Sequence, residues 1–299
     1  MHSKESISDI QLSLLMPRFL ELFSRPCTGW NFRRNGMATG KQRGVRQFIL
    51  LLFLFLSVGG LAFAQDENSG LGLAESLIHQ GRVDDAEKLA MRALESDPDS
   101  QEARLVLAKI ALTRGDLPLA QDYVDQLMEA DAANPDHHVL QGMVLMFSER
   151  DQEATEAFRK ALDLGEGKAS PDQMASYANS LVLALYKIGE PEEALQTCLD
   201  SINKYPDDAD LYLSCSRLYR EDEKYEQALR VAEEGLKANP DFPGLYASVA
   251  LAHAGLGNHE ASEAAYQELL RRNPELARAL RATLDGKRAD EAEYQIRTR

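Results

Sequence analysis

The stretch Leu185-Tyr-Lys-Ile-Gly-Glu-Pro-Glu-Glu-Ala194 decides the fold of this chain, because it contains the end of one helix and the start of the next. Gly189 can adopt the left-handed backbone conformation that ends a helix. Glu192 and Glu193 suit the positive N-terminal end of a helix that begins after the glycine. The segment therefore predicts two helices joined by a tight turn.

The same pattern recurs six times. A small residue closes the turn motif in each copy, and successive copies lie 34 residues apart except for one interval of 40. These residues are Ala86, Ala120, Ala154, Ala194, Ala228 and Ser262. The long interval contains Gly165 to Pro171, which predicts a loop insertion of six residues. A fixed period of this length indicates stacked helical hairpins.

A second set of small residues predicts where the two helices of each hairpin cross, since close crossing requires small contact residues. This set, in the first helix of each copy, is Ala74, Ala108, Gly142, Val182, Ser216 and Ala250. The period of 34, the small residues, the glycine at the turn and the closing prolines together resemble the tetratricopeptide-repeat family. The resemblance implies an all-α, right-handed superhelical solenoid of six hairpins with a C-terminal capping helix.

The repeat register divides the chain into consecutive segments. The six units are expected at 67–100, 101–134, 135–168, 175–208, 209–242 and 243–276. Residues 277–299 are expected to form the capping helix and a charged tail. The capping helix continues through Leu284, and Gly286 is its expected end.

The residues before the repeats predict export. Lys41, Arg43 and Arg46 precede an apolar run from Phe48 to Val58, and Ala62-Phe-Ala64 follows it. A basic start, an apolar stretch and an A-x-A site form a secretory signal peptide, here residues 37–64, which makes residues 1–36 a mis-assigned extension. The predicted location is the periplasm. The alternative is an uncleaved inner-membrane anchor formed by residues 48–64, which is slightly short for a span.

Charge and motif searches narrow the function. The net charge of −15 argues against nucleic acid and anionic lipid as partners. The segment Gly165 to Ser170 lacks the residue pattern of a phosphate-binding loop, and adjacent His137 and His138 point too far apart to share a metal ion. We therefore expect a non-catalytic scaffold without a metal ion or a small-molecule cofactor. The alternatives are an enzyme that acts on cell-wall or glycan substrates, with a carboxylate pair in the groove, and a membrane-tethered structural subunit of an envelope complex.

The family resemblance implies that a protein or peptide partner binds the concave face, which the first helices line. Projection of those helices places a Met-rich apolar patch beside a basic one. The predicted contact residues are Met143, Met146, Phe147, Asn179, Leu183, Tyr186, Lys187, Arg217 and Arg220, with Asp210 nearby. Flexible Met and aromatic side chains suit adaptable peptide binding, and Arg suits a carboxylate. We therefore expect an amphipathic or acidic peptide; the alternative is that the apolar members only pack between hairpins.

Two cysteines follow the leader. Cys198 lies in the predicted second helix of the fourth unit, and Cys215 lies in the predicted first helix of the fifth. An even pair in an exported chain predicts a disulfide. The alternative is two small buried packing residues.

Overall fold

A computed structural model of the chain describes residues 70–297, and side chains are described up to Asp285. These residues form thirteen helices and no strand. The predicted extension and leader lie outside the described residues. The described part divides into two compact units between Tyr205 and Pro206. We call them the N-terminal unit and the C-terminal unit.

The N-terminal unit consists of four hairpins. Its helices are α1 (Gly70–His79), α2 (Val83–Ser96), α3 (Gln101–Arg114), α4 (Leu117–Ala130), α5 (Pro135–Phe147), α6 (Asp151–Gly165), α7 (Pro171–Ile188) and α8 (Pro191–Lys204). Each helix contacts the next one along the chain, so the hairpins stack in sequence order.

The C-terminal unit consists of two hairpins and a final helix. Its helices are α9 (Ala209–Glu221), α10 (Tyr225–Ala238), α11 (Pro243–Gly255), α12 (His259–Arg272) and α13 (Pro274–Arg297). The side chains of Ala277, Leu280 and Leu284 on α13 are buried in the core that α11 and α12 form. The predicted all-α fold is confirmed, since the described residues form six helical hairpins and a final helix.

The turn of each described hairpin contains one residue with a left-handed backbone conformation. In four hairpins this residue is a predicted glycine, with φ between 70° and 87° at Gly81, Gly115, Gly189 and Gly257. In the third and fifth hairpins Glu149 and Glu223 take the same position, with φ of 61° and 55°. In all six described turns the N–H of this residue bonds to the carbonyl three residues back, and the N–H of the next residue to the carbonyl five residues back from itself. The turn geometry is therefore constant although the residue type changes.

The small residues predicted at the helix crossings are buried in all six hairpins. The third hairpin shows why they are small. A Cβ added to Gly142 would lie only 2.6 Å from the ring of Phe158, which is itself buried. In the second hairpin the equivalent positions hold Ala108 and Val124, so a larger first residue accompanies a smaller second one.

Two helix boundaries differ from the prediction. The interval of 40 is only partly a loop, because α7 begins at Pro171 and is 18 residues long. Ser170 accepts a hydrogen bond from the N–H of Gln173, and the Gln173 side chain accepts one from the N–H of Ser170. This capping box places the helix start before residue 175, where the fourth unit was expected to begin.

The second difference concerns the last helix. The predicted stop at Gly286 is wrong, since α13 continues to Arg297. A glycine inside a helix costs only about 1 kcal/mol relative to alanine. The residues around it are mostly strong helix formers such as Lys, Arg, Ala and Glu, which offset this cost.

Candidate partner-binding face

The first helices of the hairpins form one layer in each unit. In the N-terminal unit α1 contacts α3, α3 contacts α5 and α5 contacts α7. In the C-terminal unit α11 contacts both α9 and α13. Among the described residues the second helices make no comparable contacts with one another. We call the layer of first helices, with α13, the inner layer of each unit.

The predicted apolar patch lies on the inner layer of the N-terminal unit. Five of its side chains are buried, with relative exposures from 5% to 8%: Met143, Met146, Phe147, Leu183 and Asn179. Every residue of α5 from Asp136 to Phe147 except Gln141 is buried, and so is α7 from Met174 to Leu185. The five side chains therefore contribute to packing, and their contact with a partner stays a prediction.

Lys187 is already paired within its own unit. Its Nζ lies 2.5 Å from the Asp151 carboxylate on α6 and donates a hydrogen bond of 2.9 Å to the backbone carbonyl of Met146 on α5. The lysine thus ties the fourth hairpin to the third. Tyr186, the neighbouring predicted contact residue, is partly buried.

Polar side chains that the sequence analysis missed also lie on this inner layer. Lys109 on α3 is almost fully buried, and its Nζ lies 2.6 Å from the Glu75 carboxylate on α1. Tyr177 on α7 donates a hydrogen bond of 2.5 Å to Asp136 on α5. Glu75 and Lys109 are 34 residues apart, so the repeat register alone could have paired these opposite charges on adjacent helices.

Burial shifts the pKa values of several polar side chains on this inner layer. Burial raises the pKa of the Asp136 carboxyl above its ordinary value, although the hydrogen bond from Tyr177 and the positive charge of Lys109 act in the opposite direction. Burial also raises the pKa of Tyr177, and it lowers that of His79 on α1. Among the described residues no cationic side chain forms an ion pair with Asp136, so its charge is stabilised chiefly by the hydroxyl of Tyr177.

The C-terminal unit carries the remaining predicted residues on α9. Asp210, Arg217 and Arg220 are partly exposed, whereas most other residues of this helix are buried. The Nε of Arg220 is inaccessible to solvent and has no hydrogen-bond acceptor among the described residues. Burial lowers the pKa of the Arg220 guanidinium. Burial, together with the negative charge of Asp208, raises the pKa of Asp210 to about 7.

Comparison with known families identifies the repeats. A tetratricopeptide-repeat family model matches residues 77–144, and a second tetratricopeptide-repeat model matches residues 216–277. The chain contains tetratricopeptide repeats. The two matched segments fall in different units, so each unit contains repeats that are identified independently.

Solved structures with similar folds are also tetratricopeptide-type helical stacks. PilW, described as a widely conserved type IV pilus biogenesis factor, has a TM-score of 0.58 and 18% identity, over 72% of this chain and 99% of PilW. PilF of Pseudomonas aeruginosa has a TM-score of 0.53 and 16% identity, over 79% of this chain and 96% of PilF.

A third solved structure also has a similar fold. The human IFIT1 dimer with PPP-AAAA has a TM-score of 0.52 and 17% identity, over 67% of this chain and 49% of IFIT1. No curated protein matches the chain in sequence. At these identities the similarity concerns the fold, and function must be argued from the side chains of the repeats.

The histidines of the third tetratricopeptide repeat have a structural role. His137 and His138 are buried and bond to the backbone carbonyls of Asp131 and Ala132, each at 2.9 Å. Both side chains therefore hold the loop that precedes α5. In the described residues no group of three or more His, Cys, Asp or Glu is arranged to hold a metal ion.

The two cysteines lie in different units of the repeat stack. Cys198 is in α8 and Cys215 is in α9, and both side chains are fully buried. Their burial agrees with the packing alternative as well as with a bridge. The disulfide therefore stays a prediction.

No helix among the described residues combines the length and the apolar composition that a membrane span requires.

Proposed function

We propose that this tetratricopeptide-repeat chain is an exported, non-catalytic scaffold that binds a protein or peptide partner in the cell envelope through its inner layers. In the described residues the acidic side chains occur mainly on second helices, where many form surface ion pairs with nearby Lys or Arg.

The observation that carries the proposal is the composition of the inner layers. The N-terminal unit combines Met143 and Met146, whose side chains are adaptable although mostly packed, with the ion pair of buried Lys109 and partly exposed Glu75. The C-terminal unit presents Arg220, whose Nε has no acceptor among the described residues. Adaptable Met side chains suit polypeptide recognition, and a guanidinium without an acceptor suits a partner carboxylate. The net charge of −15 favours a polypeptide over a nucleic acid as the partner.

The envelope location rests on the signal-peptide pattern of residues 37–64 and gains support from the similarity to PilW, a type IV pilus biogenesis factor. Fractionation of cells that produce the tagged chain, followed by N-terminal sequencing of the mature protein, tests both parts of this proposal. A mature N-terminus just after Ala64 is expected. An N-terminus upstream of Phe48 would contradict cleavage and favour the anchored form.

Affinity capture from cell envelopes tests the scaffold role. The tagged chain should retain a specific protein that the triple variant Tyr186→Ala, Arg217→Ala, Arg220→Ala loses, while circular dichroism shows unchanged helix content. A matched control is Arg92→Ala, Arg230→Ala, which removes two positive charges from exposed positions on second helices. Equal capture by the wild type and the triple variant would refute binding through the inner layers.

A further inference from the structure

Helix α9 of the C-terminal unit leaves one row of side chains outside the core. Its buried residues are Leu211, Tyr212, Ser214, Cys215, Ser216 and Leu218. Between them Asp210, Leu213, Arg217 and Arg220 remain partly exposed, at intervals of three and four residues. Such intervals place side chains along one side of a helix. The row is acidic at its start, apolar in the middle and basic at its end.

The basic end of the row contains an unsatisfied donor. The Nε of Arg220 is inaccessible to solvent and finds no acceptor in the described part of the chain. Glu221 and Tyr225 act on Arg220 electrostatically, but neither accepts a hydrogen bond from this nitrogen. A buried donor of this kind costs free energy until an acceptor arrives, and a carboxylate is the acceptor that matches a guanidinium best.

The acidic end of the row lacks a cationic partner in the described part of the chain. Asp210 is partly buried, and no ion pair or side-chain hydrogen bond connects it to the other described residues. The charge of Asp208, which acts on Asp210, is also negative, and Asp208 already accepts a hydrogen bond from the N–H of Leu211. A cationic side chain placed against Asp210 would relieve this repulsion.

The distance between the two groups sets the geometry of the ligand. Asp210 and Arg220 are ten residues apart on one helix, which corresponds to about 15 Å along its axis. An extended peptide covers that distance in about four to five residues, and a helical one in about ten.

We infer that the exposed row of α9 binds a peptide segment that places a carboxylate at Arg220 and a basic side chain at Asp210, with an apolar side chain between them at Leu213. This inference rests on the proposed scaffold function and adds the charge pattern of the partner. The ligand is thus a segment with one acidic and one basic residue about 15 Å apart, rather than a uniformly acidic one.

Selection of random twelve-residue peptides on the purified full chain tests the charge pattern. Enriched peptides should contain an acidic and a basic residue four to five positions apart, or about ten apart if they are helical. Arg220→Glu should change the enriched pattern to two basic residues. It should also weaken binding of the wild-type peptides by about tenfold or more. The matched control Arg230→Glu reverses an equal charge at an exposed position on α10 and should change neither result.

The outcomes separate the inference from the function on which it rests. A gain of affinity for doubly basic peptides cannot result from misfolding, so it would support the site directly. Peptides that are enriched without the charge pair, or that bind the Arg220→Glu variant unchanged, would overturn the inference and leave the scaffold function intact. If the wild-type chain enriched no peptide and captured no envelope protein, both would fail.

Discussion

The left-handed glutamates provide a test of the turn geometry that needs no knowledge of the partner. Glu149 ends the first helix of the third hairpin with φ of 61°, where four other hairpins have glycine. Its side chain is exposed and forms no ion pair or side-chain hydrogen bond with the described residues. Glu149→Gly therefore changes only the backbone preference of the turn.

The expected size of the effect follows from two opposing backbone contributions. A side chain in the left-handed region costs roughly 1–2 kcal/mol, which glycine removes. Glycine also gains freedom in the unfolded chain, which costs about 0.5–1 kcal/mol. We expect Glu149→Gly to raise the free energy of unfolding by about 0.5–1 kcal/mol, and Glu223→Gly in the fifth hairpin to do the same.

Urea denaturation monitored by circular dichroism measures this change. The reciprocal variants Gly115→Ala and Gly189→Ala, at turns with φ of 75° and 87°, should lower the free energy of unfolding by about 1 kcal/mol. A loss of stability in Glu149→Gly, with losses also in both reciprocal variants, would show that the glutamate makes a favourable contact and would refute the backbone argument.

Four further predictions concern packing, charge and redox state. Gly142→Ala should lower the free energy of unfolding by about 1–3 kcal/mol, because the new methyl group meets Phe158; Gly142→Ala with Phe158→Val, which copies the second hairpin, should recover part of this loss in urea denaturation. Tyr177→Phe should lower the free energy of unfolding by about 1–3 kcal/mol, because the Asp136 carboxylate on α5 loses its hydrogen-bond donor. Since burial raises the pKa of that carboxyl, the cost measured by thermal unfolding should grow as the pH rises. The raised pKa of Asp210 means that stability is lost as the pH rises from about 4 to about 7, so Asp210→Asn should be more stable than the wild type at pH 8 and similar at pH 4. For a fully buried carboxyl, this pKa corresponds to a loss of about 4 kcal/mol in the free energy of unfolding. Because Asp210 is partly exposed, we expect about half of that loss. The cysteines of α8 and α9 should give no free thiol when the mature chain is denatured without reductant, and two free thiols would contradict the disulfide.

The repeat register predicted most of the fold, because it reports a packing requirement that recurs in every hairpin. Glycine at four of the turns avoids backbone strain and small residues at the crossings avoid steric clash, so both stand out in the sequence. Residue type does not reveal the turns at which a residue other than glycine adopts the left-handed conformation. Nothing in the side chain of Glu149 indicates a left-handed backbone, and only its position, 34 residues after Gly115, does so.

The helix ends show a second limit of the register. A helix-start pattern formed by Ser170, Pro171 and Gln173 indicates the start of α7 locally. The repeat length alone predicts a later start. The continuation of α13 past Gly286 has the opposite origin. A single glycine has too small a penalty to end a helix when its neighbours favour helix on both sides.

The candidate site could be placed from the sequence only to the level of a helix face. Lys187 and Arg220 are both basic residues near the ends of inner-layer helices, and projection cannot distinguish them. In the structure Lys187 is neutralised by Asp151, whereas the Nε of Arg220 has no acceptor in the described residues. The difference depends on which side chains the neighbouring hairpins supply. A charged residue that its neighbours satisfy contributes to the stability of the stack, and one that they leave unsatisfied lowers stability until a ligand binds. The stability cost of Asp210 and Arg220 on α9 is therefore the physical reason to seek the partner at the C-terminal unit first.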